Sequence, residues 1–208
     1  MTSPILRVGG PELAEGVAEA ISRAFATNAV TSYFTRTSDT NWTGNSVPYE
    51  LVIRDFKKSV PRKARLGAHL VEAGNFAAVA VWFPPHVVDH GKVAEDNERI
   101  RAYTREVNRV KQQWMQGRKH WYLSLIARHP QRKEKGVIRA LIQPYLEKAK
   151  AEGVPAWLEA ADEHSRDVYA HFGFRTTETF RVGVGEFNSR GEFEVGGEGV
   201  PVFPMIYE

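Results

Sequence analysis

Residues 128 to 141 read RHPQRKEKGVIRAL, a run of basic side chains that ends in a glycine and an apolar, helix-forming stretch. A strand that feeds a basic turn and then a helix start makes an anion site. The unpaired N–H groups of the first turn and the aligned peptide dipoles both favour negative charge there. Phosphate is the matching guest. From Arg132 to Arg139 the chain sets Arg132, Lys133, Lys135 and Arg139 against Glu134, four positive charges and one negative, giving +3. Each charge-assisted contact to a phosphate oxygen contributes about 1.5 to 3 kcal/mol when partly desolvated. The alternative is a charged turn that is simply solvated, so the surrounding elements have to separate the two readings.

Other chemistries are narrowed by composition. The absence of cysteine removes disulfides, thiolate nucleophiles and cysteine-bearing zinc sites. His86 and His90 stand four apart with only Asp89 nearby, too few ligands for a metal centre, and no metal is expected. The formal charge is only +3 over 208 residues and the basic run is local, which disfavours nucleic acid as a partner. No apolar run reaches the length of a membrane span, and the opening MTSPILRVGGPEL lacks a basic region followed by a hydrophobic stretch. A cytoplasmic chain with no membrane partner, monomeric or homodimeric, is the expectation. With 42% hydrophobic residues the chain is long enough to close one sizeable core.

The elements that would position the basic turn follow from periodicity. PILRV reads as a short strand, and Leu13, Val17, Ile21, Ala24 and Phe25 as the apolar face of a helix. Residues 27 to 47 read as a surface loop, and Val52, Phe56 and Val60 as a helix stopped near Pro61. HLVEAGNFAAVAVWFPP reads as a hairpin turning at Gly74 and Asn75. Ile100, Tyr103, Val107, Val110 and Trp114 recur at helical steps on a charged helix spanning 94 to 117. A strand HWYLSLIA, a helix carrying Val137, Leu141, Ile142, Tyr145, Leu146 and Ala149, a strand PAWLEA and a short helix SRDVYAHF follow. Pro144 inside the first of these helices removes one hydrogen bond, at a cost of about 3 kcal/mol before compensation. GFRTTETFRVGV reads as a further strand, then a Gly-rich excursion from 183 to 199 and a closing strand VPVFPMIYE. Strands and helices in this irregular order predict a mixed α+β sheet with helices on its faces.

The stretch HWYLSLIARHPQRKEKGVIRALIQPYLEKAKAEGVPAWLEAADEHSRDVYAHFGF resembles the cofactor-binding half of the GNAT superfamily of acyl-CoA N-acyltransferases, and within it puromycin N-acetyltransferase and related fungal proteins. The resemblance covers residues 76 to 182, including AVAVWFPP and GVPAWLEA. It implies the GNAT fold: a single domain with a twisted, mostly antiparallel sheet splayed between two central strands. Residues 1–118 would be the acceptor-side half, 119–182 the cofactor-binding half, and 183–208 the excursion with its closing strand. It also implies acetyl-CoA as co-substrate, with Leu125, Ile126, Ala127 and Arg128 along the pantetheine arm. The pyrophosphate would lie on Arg132, Lys133, Glu134, Lys135, Gly136, Val137, Ile138 and Arg139.

The family loop reads Q/R-x-x-G-x-G/A, and here only Gly136 keeps a glycine. Ile138 puts a branched side chain where the family carries hydrogen or methyl. Glu134 adds an adverse charge, worth about 3 kcal/mol at about 5 Å and a dielectric near 20. Two expectations follow: an acetyl-CoA-dependent N-acetyltransferase acting on a small amine, or a GNAT-fold protein whose altered loop serves another reaction or only binds a ligand. For transfer, the resemblance makes Tyr169 the acid that protonates the leaving thiolate, and Ser165 either a cofactor contact or a helix cap. Glu159 and His120 could each be the base, directly or through water. The 27–47 loop, the 94–117 helix and the 183–199 excursion would form the acceptor pocket, where Trp42, Trp82 and Trp114 suit an aromatic or apolar acceptor.

Overall fold

The structure, a computed structural model, describes residues 4–87 and 97–208. In chain order its elements are β1 (Leu6–Gly9), α1 (Ala14–Phe25), α2 (Ala29–Thr35), α3 (Tyr49–Arg65), β2 (His69–Ala73), β3 (Ala78–Phe83) and α4 (Glu98–Met115). They continue with β4 (Trp121–Arg128), α5 (Val137–Glu152), β5 (Ala156–Ala160), α6 (Glu163–His171), β6 (Arg175–Thr176), β7 (Phe180–Val182) and β8 (Val200–Tyr207). One sheet runs β1-β2-β3-β4-β5-β8-β6, and β7 also pairs with β8. Every pairing is antiparallel except β4 with β5. The sheet draws strands from both halves of the chain and from its closing segment, and it is the mixed, mostly antiparallel, splayed sheet of the GNAT fold.

Helices cover both faces. On one face α5 buries Val137, Leu141, Ile142, Tyr145, Leu146 and Ala149 against Val71, Ala80, Trp82, Leu123 and Leu158. On the other, α1 and α3 pack Val17, Ile21 and Val60 against Leu70, Val79 and Val81, while α2 and α4 cover Trp157, Val202 and Ile206. This explains why β3, AVAVWF, is buried at every position instead of alternating. Pro144 is accommodated inside α5. Trp82 stacks on Tyr145 with centroids 4.7 Å apart, and its indole donates to the Leu141 carbonyl at 3.1 Å in the turn that Pro144 disturbs.

Three expectations are corrected. The 27–47 segment is not all loop: α2 forms within it because the Asn28 side chain accepts from the amides of Val30 and Thr31. Its sequence, AVTSYFT, has weak helix propensity, so contacts to Tyr33 and Ser32 from the far end of the chain decide it. The next helix does not stop at Pro61 but continues to Arg65, because Val60 and Ala64 keep packing against α1. The strand expected from 173 is two short ones, β6 and β7, paired separately with β8.

Candidate active site

The site begins with a defect in strand pairing. β4 runs antiparallel to β3 from Phe83 opposite Tyr122 to Ala78 opposite Arg128, with one irregularity: Trp82 faces Leu123 while Val81 faces Leu125. Ser124 is therefore the extra residue of a β-bulge, and the bulge reverses which face the following side chains take. Leu123 packs toward α5, whereas Leu125 and Ala127 pack toward α1 and α3. On its other edge β4 pairs with β5 only from Trp121 to Leu123, opposite Ala156 to Leu158. Past that point the two parallel strands part. A cleft of about 540 Å³ opens in the fork.

Leu125, Ile126, Ala127 and Arg128 line the cleft along β4, and their edge toward β5 carries no strand partner. The basic turn follows immediately. Arg132 is a strut: its guanidinium donates to Glu134 Oε1 at 2.6 Å and to the carbonyls of Gly74 at 3.0 Å and Asn75 at 3.3 Å, tying the turn to the β2–β3 hairpin. That hydrogen-bonded ion pair holds the Glu134 carboxyl below the usual carboxylate range. Glu134 thus has a local counter-ion. Lys133, Lys135 and Arg139 are exposed around the start of α5. Gly136 stands ahead of that helix at φ 79, a left-handed conformation that favours glycine, and no side chain caps the helix. A Cβ there would meet nothing nearer than Pro4 at 3.9 Å. Val137 is buried, and Ile138 packs against the core cluster rather than lining the cleft.

Glu159 and Tyr169 both line the fork. Glu159 is the first β5 residue beyond the paired segment. Its carboxylate accepts from the Tyr122 phenol at 2.8 Å and from the Trp157 indole at 2.5 Å. Tyr169, on α6, lies against Phe174 at 6.2 Å, and burial, followed by the nearby Asp162, pushes its phenol well above the ordinary range. It is a protonated donor at neutral pH. Ser165 also lines the cleft but is not the helix cap: Asp162 caps α6 and accepts from the Ser165 amide at 2.7 Å. Asp162 stands three residues earlier with extended backbone, the geometry a cap needs.

His120 lies apart from these groups. It precedes β4 at the end opposite the open fork, does not line the cleft, and its Nδ1 is 2.8 Å from the Arg118 carbonyl. Burial, with Lys111 adding to it, lowers its pKa to about 4.

The far wall is built by helices. Phe25 of α1, Asn28, Val30 and Phe34 around α2, Val52, Asp55, Phe56 and Lys63 of α3, and Ile100 and Tyr103 of α4 line it. The α1 and α3 residues lay outside the pieces expected to form this pocket. The 183–199 excursion does not reach it. Gly191 packs so closely on α2 that a Cβ would sit 2.3 Å from the Ala29 carbonyl oxygen, which places the excursion behind that helix. None of Trp42, Trp82 and Trp114 lines the cleft, and Trp82 is fully buried in the core. Asp89 and His90 lie outside the described residues. Sequence reasoning also passed over Tyr122, Ser124 and Lys63, whose ammonium donates to the Ser124 hydroxyl at 2.9 Å. Alternation along the strand HWYLSLIA is a signal that could have pointed to Tyr122; nothing local marks the other two. Among the described residues no helix is long and apolar enough to cross a membrane.

A sheet forked between two parallel strands, with a glycine-led helix start below the fork, is the architecture of the GNAT fold. Residues 75–174 match the Acetyltransferase (GNAT) family. It is 36% identical over 139 residues to the Saccharomyces cerevisiae protein YDR391C, an alignment that covers 65% of this chain and 59% of that one. The chain thus spans about three fifths of the length of that curated relative. In fold it resembles mosquito arylalkylamine N-acetyltransferase like 5b, with TM-score 0.64, 15% identity and coverage of 98% and 99% of the two chains. It also resembles an agmatine N-acetyltransferase, with TM-score 0.66, 10% identity and 99% coverage of both.

Proposed function

We propose that this chain transfers an acetyl group from acetyl-CoA to the amine of a small acceptor with an apolar body, in a ternary complex. The observation that carries this reading is the fork itself, with a carboxylate and a protonated phenol on the walls of one cleft. The residues present fit the co-substrate. The free edge of Leu125 to Arg128 offers backbone groups to a pantetheine arm, and Lys133, Lys135, Arg139 and the uncapped amides after Gly136 suit a pyrophosphate. Ser165 faces the same cleft. With Glu134 matched by Arg132 and Ile138 packed into the core, the departures from the family loop are compatible with binding.

Acetyl-CoA supplies an acyl carbon activated as a thioester. Glu159, oriented by two donors, takes the proton from the acceptor's ammonium so that the nitrogen can attack. Tyr169, whose proton is retained at neutral pH, delivers it to the departing sulfur. Glu159 is preferred over His120 as base because it lines the fork. The rings of Phe25, Phe34, Phe56 and Tyr103 would cover the acceptor's apolar body, and the fold neighbours named above act on amines by name.

The test is an acceptor screen followed by free-thiol release. Acetyl-CoA is expected to bind saturably, Glu159→Gln to lower kcat by about 100-fold or more, and Tyr169→Phe by about 10-fold with acetyl-CoA binding retained. Calorimetry without acetyl-CoA binding at millimolar concentration would overturn the reading.

A further inference from the structure

Glu159 is held from two strands. Tyr122 on β4 donates to Oε2 at 2.8 Å, and Trp157, two residues before it on β5, donates to Oε1 at 2.5 Å. One donor on each oxygen fixes the rotation of the carboxylate about its last bond, while each oxygen keeps a further lone-pair direction. Tyr122 has two neighbours against its ring. Phe83 stacks near it at 6.1 Å and 21°, and the Lys111 ammonium from α4 sits 3.8 Å from the ring centroid. A cation on the face of a phenol draws electron density out of the ring and makes the O–H a stronger donor. Tyr103 and Lys111 stand two turns apart on α4, so both can face the same strands. Burial, and after it the charge of Glu159, raises the Tyr103 phenol's pKa.

The other charged and titratable groups of the cleft and its surroundings come from several elements. Lys63 reaches in from α3 through Ser124, Asp55 lines the same wall, Arg128 and Asp162 lie along β4 and after β5, and His120 sits near Lys111. The Tyr122 phenol joins β4 to the Glu159 carboxylate across the mouth of the fork.

We propose that Tyr122, backed by Lys111, is a positioning residue for acetyl transfer, holding the Glu159 carboxylate in the orientation from which one lone pair faces the acceptor nitrogen. The inference rests on the reading of Glu159 as proton acceptor. Tyr122 moves no proton. The acceptor's ammonium loses its proton to Glu159, the N–C bond forms as the C–S bond breaks, and the sulfur takes a proton from Tyr169. The phenol acts only by keeping the carboxylate in place while its charge is neutralised.

The test is a double-mutant cycle on the full chain, with kcat and both KM values measured on the best acceptor from a free-thiol screen. Tyr122→Phe keeps the ring and its packing and removes one charge-assisted hydrogen bond. It is expected to lower kcat about 10-fold with KM for acetyl-CoA unchanged. In a Glu159→Gln background the same change is expected to have no further effect, because the hydroxyl works through the carboxylate. Lys111→Met should lower kcat about threefold and Lys111→Arg restore it. An equal loss from Tyr122→Phe in both backgrounds would make the role structural and overturn the proposal. A Tyr122→Phe enzyme within twofold of wild type beside an inactive Glu159→Gln would overturn it and leave the assigned reaction standing. A fully active Glu159→Gln would remove the reading of Glu159 and this inference with it.

Discussion

The two walls of the cleft present different parts of the chain. The β4 wall and the turn below it offer main-chain edges, uncapped amides and exposed cations over one continuous stretch from Leu125 to Arg139. The helical wall offers side chains alone, with rings from α1, α2, α3 and α4 converging on one volume. The difference teaches a division of labour. On the proposed reading, a common co-substrate would be met by backbone geometry that tolerates change in side chains, and the acceptor by side chains whose identity sets the fit.

The comparison can be broken from the charged side first. Lys133→Gln with Lys135→Gln removes two exposed cations near the α5 start and is expected to raise KM for acetyl-CoA about 10-fold, leaving KM for the acceptor unchanged and flattening the dependence on ionic strength. Equal weakening toward both substrates in steady-state kinetics would erase the distinction between the walls. Phe34→Ala should do the converse, raising acceptor KM about fivefold with acetyl-CoA affinity by calorimetry unaltered. The smallest effect on binding is expected from Ile138→Gly. Because the side chain packs into the core, acetyl-CoA affinity should stay within about twofold while thermal unfolding shows a loss of about 1 to 3 kcal/mol. A large gain in affinity would mean that the isoleucine obstructs the phosphate after all.

These walls differ equally in how far they can be read from residues alone. The strand, basic turn and helix from Trp121 to Glu152 are contiguous, so periodicity and the glycine reveal them locally. Tyr169 follows at a position the family resemblance marks, and Glu159, in the strand between, was one of two candidates for the base. His120 illustrates the limit. It flanks the same strand, but the fork opens at that strand's other end, and only pairing with β5 shows where the strands separate. The bulge at Ser124 depends on β3, which no pattern within HWYLSLIA reveals. The acceptor wall was misjudged for a related cause. Tryptophan is large and apolar enough to suit a pocket or a core, and burial in the folded chain assigns Trp82 to the core. The excursion was placed at the pocket because it is long and glycine-rich, yet those glycines let it press against the back of α2.

Composition, period and local order determined on their own that the chain forms a mixed sheet covered by helices and sets a basic turn with a glycine-led helix start at Gly136. Those properties rest on interactions between residues close in sequence. The fork, the reversal of side-chain facing at Ser124, the orientation of Glu159 by Tyr122 and the ring-lined helical wall were decided only by tertiary structure. Each requires strands or helices far apart in the chain to meet, and the energy that selects the meeting belongs to the packed core.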